Sequence, residues 1–466
     1  MVTSTPFGSS ADVFSWLSGF INLETGQTKM SFRLDRMETL ALLAGNPEKF
    51  SESIHVAGSK GKGSVTGMIS SILCAAGIKT ARYASPHVSD FRERLTIGNK
   101  YFDESIYIKA GNELKDLVNN LSSSSKTSLF NLAMPLGEEP TFFELVTLWF
   151  FLCCRLAKCK VMAVETGMGG RLDATNIIMP LVSVITTIEK EHTEYLGETI
   201  EKIAGEKAGI IKPGRPLVLS EQKPEALEVF RSRTKETKSS LLYLPDYLEI
   251  NKIHLSLSGT IFSLIIKGDS NSSPLVLNNL YSPMHGKIQV LNAALAILAV
   301  RTAIGNIDEE AIREGLSKFC LPARFELISK KPVFVIDGAH TKRSMEICLS
   351  TFKSLYSKGG ILVFGCAEGK DIYSMAKLCV PLFSKVFITT PGMFKKSSPE
   401  KIFKAFCTHA EIQKRKALPI PEITYIPNTE EAIEKAIKIA LESSLPILGT
   451  GSFYLAGEIR KKFNTL

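Results

Sequence analysis

Two periodicities run along the chain. Short apolar runs at residues 54–58, 161–165, 181–187, 216–220, 333–337, 361–365, 385–390 and 446–449 read as strands. Between them lie longer stretches with apolar residues every three or four positions. In the clearest, Val65, Met68, Ile69, Ile72, Leu73 and Ala76 fall on one face of a helix. Strands alternating with amphipathic helices predict an α/β fold on a mainly parallel sheet. Several strands end in Gly, Asp or Glu, and ligands of open α/β sheets gather beyond the carboxyl ends of strands.

Two stretches break the alternation. Residues 119–127 (NNLSSSSKT) are serine-rich and lead into a Pro/Gly/Glu segment up to Pro140, which predicts a flexible surface loop beside the site. In residues 247–280, Ile253, Leu255 and Leu257 alternate, Ser258-Gly259-Thr260 turns, and Ile261, Leu264 and Ile266 return. That predicts a hairpin or small antiparallel sheet. A helix over 308–319 ends before Leu321-Pro322-Ala323, and a fresh strand–helix series follows. We therefore expect two domains, 1–320 and 321–466, the second of a size typical of one domain.

Composition narrows the class. The 466 residues are 44% hydrophobic and 22% charged, which excludes a disordered or fibrous chain. The longest largely apolar run, residues 145–154, is well short of the about 18 residues a spanning helix needs, so no membrane partner is expected. The first residues, MVTSTPFGSSADVF, lack a basic stretch and carry Asp12 early, which argues against a secretory leader. Nine scattered cysteines without a CxxC pair suit reduced thiols in a cytoplasmic protein and argue against structural zinc. The net charge of +9 falls in pairs such as Lys330-Lys331 and Lys395-Lys396. That pattern suits small anions at least as well as nucleic acid, for which no aromatic-interleaved basic face is apparent.

The strongest local chemistry is Ile54-His-Val-Ala-Gly58-Ser-Lys-Gly61-Lys62-Gly63-Ser64, a strand running through a glycine-rich turn into a helix. Such a turn offers backbone N–H groups and the positive end of a helix dipole to an anion. Lys62 would add charge at the phosphates, and Ser64 a hydroxyl near Mg²⁺. The spacing departs from a Walker A motif, with Val56 where that motif has Gly and Gly63 where it has Ser or Thr. Pattern alone therefore leaves nucleotide binding and an ordinary glycine turn both open.

Acidic strand ends are the second theme. Glu165 closes an apolar strand before Thr166-Gly-Met-Gly-Gly-Arg171-Leu-Asp173, where it can hold Mg²⁺ or cap a turn. His192 follows another strand. Asp337 and His340 repeat the theme in the second half and can face a nucleotide or cap a βα turn. Lys207, in Ile203-Ala-Gly-Glu-Lys207-Ala-Gly, reads by default as a surface lysine.

Taken together, these segments resemble the folylpolyglutamate synthase/dihydrofolate synthase family, within the wider Mur-ligase group of ATP-dependent amide ligases. The markers appear in order from residue 32 to 458: HVAGSKGKGSV, YASPHVSDFRERL, PTFFE, ETGMGGRLDATN, KEHTEYLGETIEKIAGEKAGIIKPG, NAALAI, PARFE, DGAH and TGSFYLAGE. The resemblance implies an N-terminal P-loop-type domain of mainly parallel sheet with a small antiparallel sheet, and a C-terminal Rossmann-like α/β domain. It implies ATP at Gly58, Gly61, Lys62, Gly63 and Ser64, with Gln289, Asn292, Arg324 and Asp337 around the nucleotide. It assigns Mg²⁺ to Ser85, Glu165 and His192, with two sites expected and a carbamylated Lys207 as second-site ligand. Lys62, Lys207, Asp337 and His340 carry the catalytic roles, and Phe143 and Glu144 the pterin-side loop. Three departures stand out: Ser59-Lys60 where Thr-Asn is common, Ile288 where a His commonly precedes Gln289, and Thr341 where Asn often follows the DGAH histidine.

The implied reaction joins L-glutamate to a folate-side carboxylate through an acyl phosphate, in a cytoplasmic monomer acting on small molecules. GGRLDATN and PTFFE look more like members that accept 7,8-dihydropteroate, including bifunctional bacterial enzymes. A folylpolyglutamate synthase alone is the nearest alternative. A cell-wall Mur-type ligase and another P-loop ATPase are the further ones.

Overall fold

The computed structural model describes residues 5–22, 33–123, 139–268, 274–392 and 396–464. Eight strands form the first sheet: β1 (Glu52–Ala57), β2 (Thr80–Tyr83), β3 (Leu95–Ile97), β4 (Lys100–Tyr101), β5 (Val161–Glu165), β6 (Val182–Ile185), β7 (Leu217–Leu219) and β8 (Leu241–Tyr243). Their order is β4-β3-β2-β5-β1-β6-β7-β8. The run from β2 to β8 is parallel, and β3 and β4 add an antiparallel edge.

The central strands are apolar throughout because helices cover both faces. Side chains alternate across a strand, so Ile54 and Val56 of β1 with Val161 and Ala163 of β5 point to one face. There they meet the helices Lys62–Ala75, Lys287–Ile304 and Glu309–Lys318 through Met68, Ile69, Ile72, Ala293, Ile297 and Leu316. Met162 and Val164 point the other way, into a cluster with Tyr83, Trp149 and Phe150 of the helix Phe142–Leu156. Ala57, Ile185, Leu217 and Leu219 extend that second face against the helices Ile200–Ala208 and Pro224–Glu236.

Residues 247–280 fold as expected into an antiparallel sheet, of three strands: β9 (Leu248–Ser256), β10 (Gly259–Ile266) and β11 (Leu275–Ser282). Phe262, Leu264, Leu277 and Leu280 bury into the first core. The third sheet contains β12 (Glu326–Lys330), β13 (Val333–Ile336), β14 (Gly360–Phe364), β15 (Phe383–Ile388), β16 (Glu422–Tyr425) and β17 (Ile447–Thr450), in the order β12-β13-β17-β14-β15-β16. All neighbours are parallel except β12 against β13. Helices again cover both faces. The chain is thus mixed α/β, with a large mainly parallel sheet, a small antiparallel sheet and a C-terminal α/β unit.

All eight expected strands are present. Two expectations need correction. Residues 119–123 are not loop but the last turns of the helix Glu104–Ser123; the rest of the serine-rich stretch lies outside the described residues. The helix Lys287–Ile304 is long and apolar enough to cross a membrane, which the search for one unbroken run missed because Gln289, Asn292 and Arg301 interrupt it. Here it is a core helix, with Val290 and every residue from Asn292 to Val300 buried.

Candidate active site

The turn after β1 is shaped by two glycines. Gly58 and Gly61 have φ of +146° and +92°, a region open to glycine and strained for other residues. Space forbids a side chain as well: a Cβ on Gly58 would lie 1.8 Å from Thr186 Oγ1, and one on Gly61 would lie 2.7 Å from Asn292 Oδ1. The turn is zipped to the segment after β6, where Ser59 N–H donates to Thr187 O (2.9 Å) and Ser59 Oγ to Glu189 O (3.1 Å). The helix Lys62–Ala75 starts at Gly61 with no side chain capping it, which leaves its leading N–H groups for an anion. The helix Lys287–Ile304 also starts uncapped, at Gly286. Its first turns bring Gln289 and Asn292 to the loop, with Asn292 Nδ2 donating to Gln289 Oε1 at 3.0 Å.

Two lysines converge on one carbonyl. Lys62 Nζ donates to Gly58 O at 3.0 Å, and Lys207 Nζ donates to the same oxygen at 2.8 Å. Lys207 is 1% exposed, so it is not the surface lysine its sequence context suggests. Burial, then repulsion from Lys62, pulls its pKa down to about 8 against the attraction of Glu191. Glu191 lies 3.2 Å from Lys207 and 3.7 Å from Lys60. Burial works against its carboxylate, yet Lys62, Lys207, Lys60 and His192 together hold its pKa below the ordinary value. Sequence reasoning passed over Glu191 in favour of its neighbour His192, and nothing in the pattern KEH distinguishes them. His192 sits exposed at φ +47° ahead of the short helix Thr193–Leu196, and partial desolvation lowers its pKa.

Glu165 ends β5 next to the phosphate turn, 4% exposed. A Cβ on Gly63 would be 3.4 Å from its Oε2, which fixes how closely strand end and helix start approach. Burial raises the Glu165 pKa, opposed by Lys62, by the nearby Ser85 backbone N–H, and by Arg324 and Arg82. Arg324 comes from the C-terminal half. Burial lowers its pKa, and Asp337 and Glu165 offset this. Its guanidinium lies 4.4 Å from the Phe453 ring centroid. Asp337, beyond β13, accepts the backbone N–H groups of Phe325 and Ala339, each at 2.8 Å. Burial raises its pKa. His340 Nδ1 pairs with Gly338 O at 2.8 Å, and burial pulls its pKa to about 4, so the ring is neutral near pH 7. Its ring lies 5.6 Å from Phe453.

The pterin-side pair is less uniform. Both carboxylate oxygens of Glu144 are engaged within the fold: Arg36 Nε donates to them at 2.8 and 2.9 Å, and Thr141 N and Oγ1 each donate to Oε2 at 2.8 Å. Glu144 is the N3 member of a capping box that starts the helix Phe142–Leu156. Phe143 packs over the turn after β5, so tightly that a Cβ on Gly167 would sit 2.4 Å from its ring.

Five cations, Lys60, Lys62, Lys207, Arg82 and Arg324, gather among the carboxylates Glu93, Glu165, Asp173, Glu191 and Asp337, and burial penalises three of the cations. The lysines nearest the uncapped phosphate turn are placed to meet an anion there. Among the described residues no group of three His, Cys, Asp or Glu side chains can enclose a metal alone. Mg²⁺ does not ask for that: it takes one or two carboxylates and fills its shell with water and phosphate oxygens. The buried carboxylate of Glu165 is a hard oxygen donor, Ser85 with its backbone near that carboxylate carries another, and both donor types fit this ion.

A phosphate turn at the end of a parallel strand, met by an arginine and an aspartate from a second α/β unit, fits the Mur-type ligases, and the family matches bear this out. Residues 112–300 match the Mur ligase middle domain and residues 323–453 the Mur ligase glutamate ligase domain. The chain belongs to the dihydrofolate synthase/folylpolyglutamate synthase family. It is 31% identical to the dihydrofolate synthase/folylpolyglutamate synthase of Bacillus subtilis over 98% of this chain and 99% of that protein. It is 30% identical to the folylpolyglutamate synthase of Lacticaseibacillus casei over 91% and 93%. Among solved structures, the folylpolyglutamate synthase of Thermotoga maritima superposes with a TM-score of 0.81 at 28% identity, covering 98% of this chain and 97% of that one. The Mycobacterium tuberculosis folylpolyglutamate synthase complexed with ADP and AMPPCP gives 0.84 at 26%, covering 97% and 99%.

Proposed function

We propose that the chain is an ATP-dependent ligase that joins L-glutamate to dihydropteroate, and further glutamates to folyl-glutamates, through an acyl phosphate. It acts in the cytoplasm, as a monomer, on small molecules. We place the domain division at 1–320 and 321–466. The matched family segments, which stop at 300 and resume at 323, support it.

The observation that carries the reading is the meeting of Lys62 and Lys207 at the Gly58 carbonyl, beside Glu165 and within reach of Arg324. The backbone of Gly58, Gly61, Gly63 and Ser64 cradles the phosphates, and Lys62 swings from its resting bond to Gly58 O onto them. Gln289 and Asn292 hold the nucleotide from the side, and Arg324 and Asp337 from the facing half. Ser85, Glu165 and His192 would hold Mg²⁺, which when bound would supply charge neutralisation at the triphosphate. The folate-side carboxylate attacks the γ-phosphorus, ADP leaves, and an acyl phosphate forms. The amine of glutamate then adds to the acyl carbon, and phosphate departs as the amide forms. The chain's own contribution is positioning and preorganised charge. The glutamate amine adds in its neutral form, and His340, itself neutral, takes the proton that the nitrogen sheds once the bond to the acyl carbon has formed. Phe143 shapes the pterin side, and Glu144 fixes the helix that carries it.

Lys207 is a candidate for carbamylation, since carbon dioxide reacts with a neutral amine and a pKa of about 8 leaves far more of it neutral than an ordinary lysine. The carbamate would turn a cation into a metal-binding oxygen ligand at a second Mg²⁺ site. Isotopically labelled bicarbonate should give a carbamate NMR signal that Lys207→Ala lacks.

A narrower activity on folyl-glutamates alone is the second reading, favoured by the near full-length match to the Lacticaseibacillus casei protein. Labelled glutamate, ATP and Mg²⁺ supplied with dihydropteroate and with monoglutamyl tetrahydrofolate separate the two. Incorporation into both acceptors is expected. Incorporation into tetrahydrofolate alone selects the narrower activity, and incorporation into neither removes the ligase reading.

A further inference from the structure

We propose that Arg460 is a positioning residue: it latches the helix Phe453–Asn464 onto the loop that starts at Ser85, and so keeps the two halves of the site in register. The inference rests on the ligase reading above.

The helix Phe453–Asn464 touches both halves. At its start, Phe453 lies against Arg324 and His340. Two turns later Arg460 reaches across. Its Nη1 donates to Ser89 Oγ at 2.9 Å and lies 3.9 Å from Glu93 Oε1, while its Nε donates to Glu326 Oε1 at 3.0 Å. Glu93 in turn ties the loop into shape. It accepts the backbone N–H groups of Val88 (2.7 Å), Ser89 (3.2 Å) and Asp90 (3.2 Å) and the hydroxyl of Ser89 (2.7 Å). The Ser89 hydroxyl spends its hydrogen on Glu93 and offers a lone pair to Arg460. A second contact lies one turn away, where a Cβ on Gly457 would sit 2.6 Å from the Val88 carbonyl oxygen. Helix and loop therefore meet with no room for adjustment. The first residue of the loop, Ser85, has its backbone N–H near Glu165 and favours the charged form of that carboxylate. One rigid helix thus links Arg324 and His340 to the loop that passes Glu165.

An exposed ion pair would contribute little. The Arg460, Glu93 and Glu326 side chains are only 25%, 13% and 16% exposed, and the guanidinium fork fixes direction as well as distance. If the latch loosens, water reaches the acyl carbon in place of the glutamate amine. Water adds, phosphate leaves and the acid is regenerated, so ATP is hydrolysed with no amide formed.

The test is the phosphate released per amide formed, measured with acid substrate, ATP and glutamate present. Wild type should give about one, and Arg460→Ala should raise the ratio at least about two-fold through faulty closure. Arg460→Lys should restore coupling in part, because an ammonium cannot serve all three partners at once. Gly457→Ala removes no charge and should show the same rise by pushing the helix off the loop. A ratio unchanged from wild type in both Arg460→Ala and Gly457→Ala, whether or not their melting temperatures fall, overturns the latch alone. A wild-type chain that forms no amide overturns the ligase reading and the latch with it.

Discussion

Lys62 and Lys207 share one acceptor, and burial first, then repulsion from Lys62, lowers the Lys207 pKa from 10.5 to about 8. Lys62→Ala should abolish ligation while leaving the far-UV circular dichroism spectrum intact, because the side chain's bond to Gly58 O is replaceable by water. Near-normal turnover in that variant would remove the phosphate-turn assignment. For Lys207 the prediction concerns pH. Below about 8 the folded protein bears the full cost of a buried ammonium. Between about 8 and 10.5 the unfolded chain holds a proton the folded protein has shed, so stability rises with pH across that window. In buffer purged of carbon dioxide, urea unfolding of wild type should gain on Lys207→Met between pH 8 and 10. A constant difference would mean that Lys207 does not titrate there. Nothing in the sequence around Lys207 signals its burial; that follows from the packing of the helix Ile200–Ala208 over the ends of β1 and β6.

At the scale of elements, Glu144 separates two roles that sequence alone could not. Its side chain is 6% exposed and that of Arg36 is 3%, so removing the carboxylate takes a charge partner from a buried guanidinium. Glu144→Ala should destabilise the fold by about 3–5 kcal/mol in urea titrations. A stable variant that has lost only folate affinity would instead make Glu144 a substrate contact. Gly58→Ala should destabilise the protein by about 2–4 kcal/mol or prevent ATP binding, since its Cβ would overlap Thr186. Isothermal titration with ADP at a temperature where the variant is folded checks this. The central strands were legible because burial on two faces leaves an unbroken apolar run, and the helix Lys62–Ala75 because its large apolar residues recur every three or four positions, although every residue from Ser64 to Leu73 is buried. The strands β2, β3, β4, β8, β12 and β16 were not. They are short, lie mostly toward sheet edges and mix charged or aromatic residues such as Arg82, Glu326 and Glu422 into the run.

Over the whole molecule, the active site exists only because two sheets present their carboxyl ends to each other. Glu165 ends β5 in one and Asp337 follows β13 in the other, with Arg324 between them. Local reading found the acids at both strand ends but could not pair them, since nothing within a motif states which strand ends will face. Order along the chain supplied that link through family resemblance, which named Arg324, Asp337 and His340, and the fold brings these three near one another. It did not name Glu191, Arg82 or Arg460, whose roles arise from charge balance and from contact between distant segments. The central claim is that this cleft activates an organic acid by phosphorylating its carboxylate. The most direct measurement supplies an acceptor whose carboxylate carries heavy oxygen, with ATP and glutamate, and reads the isotope in the products by mass spectrometry. One heavy oxygen atom should appear in each phosphate released and none in the nucleotide. Phosphate free of the label, or label carried on AMP, would contradict the account.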